Sequence, residues 1–175
     1  MVMWNLLGKA ATPRLLLQST RGRWLTTLPP LSVSLYQYAI CPYCNKVKSV
    51  LHYAKIPHTV VEVNPLTKAE LPDKDYRKVP LARIDDEVVK GSDEIMQALL
   101  HRTELDPNAG QEWVDFANDE LAHLLYPNIC ASLGDAYQAF GYVDRVDSFS
   151  YFQKMAIQSA GSVAMYLAAS RVKSE

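Results

Sequence analysis

Two cysteines three positions apart, Cys41 and Cys44, sit in the stretch LYQYAICPYCNKVKSVLHYA. A C-x-x-C pair can begin a zinc site, staple a loop or exchange electrons. The 175-residue chain holds three cysteines and four histidines. A closed zinc site needs four such ligands at usable spacing, and Cys130, His52, His58, His101 and His123 are scattered, so no metal site is read here. Three cysteines are too few for a secreted disulfide framework and leave one unpaired, which fits a reducing compartment. What remains is thiol chemistry, with Cys130 read as a small packing residue rather than a third redox partner.

Such chemistry needs the pair at a strand-to-helix turn. Before it, Val33, Leu35 and Gln37 alternate with Ser34, Tyr36 and Tyr38, the pattern of a strand, and Ala39-Ile40 form a short loop. After it, Val47, Val50, Leu51 and Ala54 fall at i, i+3, i+4 and i+7, the apolar stripe of an amphipathic helix. Pro42 suits the first helical turn. Cys41 then lies where free backbone N–H groups and the helix dipole favour an anion, so its thiolate is stabilised and Cys44 can resolve a mixed disulfide. Tyr36, Tyr38 and Tyr43 are read as packing residues.

The following segments supply a small α/β domain. His58 to Val63 reads as a second strand, and Asn64 to Lys78, interrupted by prolines and charges, as a short imperfect helix and loop. Leu81 to Ile84 and Glu87 to Lys90 form a hairpin across Asp85-Asp86. GSDE opens a helix that Ser92 or Asp93 can cap, with Ile95, Met96, Leu99 and Leu100 on its buried side. The order is βαβ, then ββα.

YQYAICPYC, the Val-Pro step before the third strand and GSDE at the last helix resemble the thioredoxin-like fold of glutaredoxins and glutathione transferases. Over roughly residues 31–173, VEVNPLTKAEL, YRKVP, EWVDFANDELAHLLYPNI and AMYLAASRVKS are similar to the membrane-associated prostaglandin E synthase type 2 family. The resemblance implies a thioredoxin-like domain with a mixed four-stranded sheet, followed by an all-α transferase-like domain. It also implies glutathione as small-molecule thiol, haem in some members, and isomerisation of a prostaglandin endoperoxide. Carried onto this chain, it makes Cys41 the reactive thiol, Cys44 its partner and Pro80 a cis proline. The main chain of Val79 would pair with the cysteinyl part of glutathione. Ser92 and the amides at its helix start would hold the γ-glutamyl carboxylate, flanked by Gly91 and Asp93. The family pattern tends to carry an acid just before this serine, where this chain has Gly91. Arg77 and Lys78 stand where they could attract the glycine carboxylate.

No Asp or Glu precedes Glu62, and Lys9, Arg14, Arg21 and Arg23 stand among Leu, Ser and Thr, so residues 1–30 are read as a mitochondrial targeting segment that is too interrupted to span a bilayer. Residues 31–101 then form the redox domain, 102–112 a linker, and 113–175 a partial helical domain. Within it Trp113, Phe116, Ala117, Leu121, Leu124 and Leu125 repeat at helix spacing until Pro127. Phe149 to Val172 forms a long helix whose Ala156, Ala160, Ala164 and Ala168 make a small-residue packing face. A net charge of −1 gives no basic surplus for nucleic acid. The family's helical domain continues further than this chain does, which raises a second class of function: a non-catalytic accessory subunit of a mitochondrial assembly, or a homodimer, covering the remaining helix faces.

Overall fold

The computed structural model describes residues 31–103, 105–106, 108 and 110–172. Residues 1–30, read above as a targeting segment, lie outside the described residues, as do Glu104, Pro107 and Ala109 of the expected linker.

Four strands, β1 (Val33–Gln37), β2 (Thr59–Glu62), β3 (Leu81–Ile84) and β4 (Glu87–Lys90), make one sheet in the order β2-β1-β3-β4. β1 pairs β2 in parallel, with Gln37 opposite Glu62, and β3 antiparallel, with Leu35 opposite Ala82. Helices α1 (Pro42–Tyr53) and α2 (Ser92–Leu100) cover one face of the sheet. There Val33, Leu35, Val47, Leu51, Ala82, Ile84, Ile95 and Leu99 form the main core. This is a thioredoxin-like domain with a mixed sheet, as the period-two and period-3.6 patterns and the family resemblance imply.

The other face is covered differently from expectation. Asn64 to Lys78 contains no helix, only turns and bends. Asn64 is buried, and its Oδ1 accepts from the amides of Leu66 at 2.9 Å and Thr67 at 3.3 Å, a turn that competes with a helical start. Its own amide donates to Glu70 Oε2 at 2.9 Å. The segment still does a helix's work, since Leu71 packs with Val63 and Leu81, flanked by Tyr36, Tyr38, Tyr76 and Val79.

The rest of the chain is helical. α3 (Gln111–Phe116) runs through a π turn at Ala117–Leu121 into α4 (Ala122–Ile129), so Pro127 lies inside a helix rather than ending it. α5 (Leu133–Phe140) and a 3-10 turn at Gly141–Arg145, neither foreseen, lead to α6 (Tyr151–Val172). α6 corrects another expectation. Ala156, Ala160, Ala164 and Ala168 are exposed, and the packed face carries Ile157, Gly161, Ser162 and Ala169. At Gly161 the contact with Phe140 is so close that an added Cβ would meet the ring at 2.5 Å.

The two halves are tied together at three places. Lys46 of α1 pairs with Asp93 of α2, and donates to Asn118 on the π turn at 2.6 Å. α4 packs on α1. Ile40, in the loop before α1, packs against the buried cluster of Phe140, Val143, Phe149 and Ile157. Among the described residues no helix is long and apolar enough to cross a membrane.

Candidate active site

Cys41 is the N-cap of α1, with extended backbone at φ −74° and ψ 122°, and Pro42 follows inside the first turn. Its amide donates to Tyr38 O at 3.0 Å, and its carbonyl accepts the first helical bond from Asn45 at 3.0 Å. Both Cys41 and Cys44 are buried free thiols. The Cys41 thiol is drawn down from its ordinary 9 to about 7, chiefly by a hydrogen bond from the Cys44 thiol. The amides of Cys44 and Tyr43 and the charge of Lys48 assist, while burial opposes them. Those amides do not reach the sulfur in full capping geometry, so they act as loosely aligned donors. Cys44 is driven the opposite way, by its bond to Cys41, by burial and by the neighbouring negative charge. One proton is thus shared unequally, leaving Cys41 the more acidic thiol and Cys44 its protonated partner. Alkylation of Cys41 by iodoacetamide should rise with pH to a half-maximum near 7, with Cys44 silent over that range, as site-resolved mass spectrometry would read.

Three phenols and a carboxylate surround the pair. Tyr38 is pushed up to about 12 by burial and then by the two thiols, so it stays a hydrogen-bond donor. Its hydroxyl accepts from Lys68 Nζ at 2.5 Å, and burial, with Arg77 nearby, lowers that lysine. Tyr126 of α4 is raised by burial, with Cys41, Tyr43 and Cys44 adding to the effect. Tyr142, in the 3-10 turn, is raised by burial and by Glu62. Glu62 accepts from the Ala39 amide at 2.7 Å and from Gln37 Nε2 at 3.0 Å. Burial raises its carboxyl, and bonds from Ala39, Gln37 and Tyr142 together with the charge of Lys48 pull the other way. None of these residues stood out in the sequence. The signal that could have found Glu62 is an acid inside an otherwise apolar run, VVEV, where it is partly buried.

The remaining expected residues lie at the start of β3 and the end of β4, at the edge of the sheet where β1 runs into the motif. The Val79-Pro80 peptide is cis. The Gly91 amide donates to Pro80 O at 3.2 Å, joining the proline step to the start of α2. Val79 packs in the same cluster as Tyr38, which links that step to the thiols. At α2 the cap is Gly91, at φ 88° and ψ 151°, and neither Ser92 nor Asp93 caps the helix. A left-handed cap without a competing side chain suits glycine. Ser92 is buried in the first turn. Both oxygens of Asp93 are engaged, one by Lys46 and the other by Asn118 Nδ2 at 3.0 Å. Arg77 donates to Thr67 O at 3.2 Å.

Among the described residues no group of three or more candidate metal ligands is found. His52 and His58, whose five intervening residues do match finger spacing, face each other with ring centroids 5.4 Å apart at the far end of α1 from the thiols. Cys130 is buried with Ala136 and Ala169. A groove of about 510 Å³ between α1, α2 and α3 is lined by Val50, Met96, Leu100, Trp113 and Val114, and includes neither motif thiol.

With this geometry in place, comparison with known proteins becomes informative. Residues 35–107 match the family described as Glutathione S-transferase, N-terminal domain. The chain is similar to prostaglandin E synthase 2 of Danio rerio, at 26% identity over 82% of this chain and 51% of that protein. It is similar also to prostaglandin E synthase 2 of Mus musculus, at 29% identity with the same coverages. The chain thus spans about half the length of the curated relatives it matches. Among solved structures, rice GST1 in complex with glutathione aligns with TM-score 0.41 and 14% identity over 82% of this chain and 61% of that one. Glutaredoxin 2 of Salmonella typhimurium in complex with glutathione aligns with TM-score 0.41 and 22% identity over 80% and 70%. Likeness at that level adds nothing to the functional argument.

Proposed function

We propose, from the match of residues 35–107 to the family described as Glutathione S-transferase, N-terminal domain, that this chain is a glutathione-dependent thiol–disulfide oxidoreductase or prostaglandin E synthase 2-like isomerase with Cys41 as nucleophile. The observation that carries the reading is the placement of two free thiols at the start of α1, Cys41 at the N-cap and Cys44 one turn on, with Cys41 drawn down to about 7 by its neighbour. Half of Cys41 is then thiolate at neutral pH.

In the oxidoreductase step the Cys41 thiolate attacks one sulfur of a disulfide. A new S–S bond forms at Cys41, the substrate S–S bond breaks, and the departing sulfur leaves as a thiolate. Once Cys41 is no longer an anion, the charge that held the proton on Cys44 is gone. Cys44 gives that proton up, attacks the Cys41 sulfur and releases the second thiol, leaving a Cys41–Cys44 disulfide. Glutathione supplies the small-molecule thiol. The main chain of Val79, held open by cis Pro80, would receive its cysteinyl part. Gly91, Ser92 and the amides of the first α2 turn would hold its γ-glutamyl carboxylate. Asp93 could meet the ligand amine only in competition with Lys46. Haem does not fit this site: Cys41 is buried, and the groove between α1, α2 and α3 does not reach it. No step is assigned to it.

The test is incubation of the reduced full chain with glutathione disulfide and mapping of the adduct. A glutathionyl group on Cys41, lost again as the Cys41–Cys44 bond forms, is the expected result. Absence of both the adduct and the Cys41–Cys44 disulfide, on a Cys41 that still alkylates, overturns the proposal.

A specific observation favours a second reading, as an accessory subunit. Residues 155–170 of α6 contain no charged residue, and Phe152, Met155, Val163 and Leu167 on it are exposed, as are Trp113 and Leu124. Faces of that kind usually meet a partner. Recovery from mitochondria, where the acid-free leader directs the reading, inside a complex that tolerates loss of both thiols would favour it over catalysis.

A further inference from the structure

We propose that Glu62 is the positioning residue of the thiol site: its carboxylate holds the loop that ends in Cys41, ties that loop to the helical half through Tyr142, and so keeps the Cys41 sulfur at the start of α1. This rests on the reading of Cys41 as the nucleophile.

The parallel register sets Gln37 of β1 beside Glu62 of β2. One carboxylate oxygen accepts the Ala39 amide at 2.7 Å, and the other accepts Gln37 Nε2 at 3.0 Å. Tyr142, in the 3-10 turn, lies near the same group and helps to hold its carboxyl down. Ala39 is thereby fixed by an acid, while the next residue, Ile40, is fixed by the apolar cluster of the helical half. Cys41 follows directly, so its backbone has little freedom left before the helix begins.

The orientation of Gln37 adds a second argument. It is 4% exposed, and its Oε1 is buried with no hydrogen-bond partner while its amide group faces Glu62. A buried acceptor left unpaired costs stability. That orientation is the one an ionised carboxylate selects, since a protonated acid would be served better by the carbonyl oxygen. The groups facing Glu62 are therefore Gln37 from β1, the Ala39 amide from the loop, Lys48 from α1, Tyr142 from the helical half, and Tyr38 at the strand end.

Burial raises the Glu62 carboxyl above its ordinary 4.5. The sign follows: the folded state favours the protonated form, so stability is fully present at low pH and declines as pH climbs from 4.5 through the raised value. A carboxylate that costs stability at pH 7, in a strand whose neighbours Val61 and Val63 are apolar, is explained by what it holds.

The test compares the pH profile of Cys41 alkylation by iodoacetamide in the full chain and in Glu62→Ala, Glu62→Gln and Tyr142→Phe variants. In Glu62→Ala the midpoint should move up by about one unit, which cuts the rate at pH 7 about fivefold by lowering the thiolate fraction from about one half to about one tenth. Tyr142→Phe should lose about twofold, because it removes the hydroxyl that helps to hold the carboxylate. Glu62→Gln should recover most of the Glu62→Ala loss, since Gln37 can turn its unpaired oxygen to the new amide, and its thermal midpoint at pH 7 should equal or exceed that of the parent. A purely structural acid would show the reverse, a lower midpoint and no change in the profile. A folded Glu62→Ala variant with the parent's alkylation profile overturns the proposal. If Glu62→Ala does not fold, an unchanged profile in folded Tyr142→Phe overturns it equally. Failure of the parent Cys41 to react near pH 7 would instead sink the reading of the nucleophile, and is seen before any variant is made.

Discussion

Cys41→Ser removes thiol transfer, by at least about three orders of magnitude, because a serine hydroxyl at the same place holds its proton throughout the neutral range. The fold survives the change. Cys41 occupies a helix N-cap without making a side-chain capping bond, and serine is among the best residues there, so the variant should gain up to about 1 kcal/mol in urea unfolding rather than lose stability. Loss of activity together with equal or higher stability separates chemistry from folding damage. Cys44→Ser should divide the reaction at another point: the first attack proceeds, and the Cys41 mixed disulfide accumulates because nothing resolves it. Full transfer activity in Cys41→Ser would move the nucleophile elsewhere.

Gly161→Val is the largest stability effect expected. A Cβ at Gly161 would lie 2.5, 2.8 and 3.0 Å from three ring carbons of Phe140. That ring is itself buried with Val143, Phe149 and Ile157, and has no room to withdraw. Overpacking of this kind costs about 1–3 kcal/mol, more where backbone must shift. The control is Ala160→Val, one residue away on the exposed face, which should stay within about 0.5 kcal/mol of the parent. Because Ile40 rests on the same cluster, Gly161→Val should also slow Cys41 alkylation, although the two residues are far apart in sequence. Equal unfolding midpoints for the two variants would refute the close contact.

Those variants also mark where sequence reasoning succeeds. Strand β1, the thiol motif at the start of α1 and the β3–β4 hairpin were legible because each is decided locally, by alternation, by a proline at the first helical position and by Asp85 in its left-handed turn at φ 53°. The start of α2 was legible in place but not in detail, since Gly91 and not Ser92 or Asp93 takes the cap. Asn64 to Lys78 was misread because a buried asparagine side chain, not propensity, organises it. Pro127 lies inside its helix at the loss of one backbone bond, to the carbonyl of His123, and the apolar spacing gave no sign that the helix would continue past it. The alanine repeat on α6 suggested a packing face that the structure leaves outside, while a single glycine marks the real one. The candidate site followed the same division. Cys41 and Cys44 were visible in the motif, and Val79, Pro80 and Ser92 through family resemblance. Glu62, Tyr126 and Tyr142 become neighbours of the thiols only through sheet register and the docking of distant helices.

The seat of Ile40 among Phe140, Val143 and Phe149 gives synthesis of this protein a built-in order. A chain leaving the ribosome completes its sheet and first two helices well before the residues that form that socket have emerged. Until then the Ile40 side of the motif loop is uncovered, although the groups that lower the Cys41 thiol, Cys44, Tyr43 and Lys48, already stand on α1. Arrested nascent chains ending before residue 140 should therefore alkylate faster than unstructured peptide but more slowly than those extending past α6.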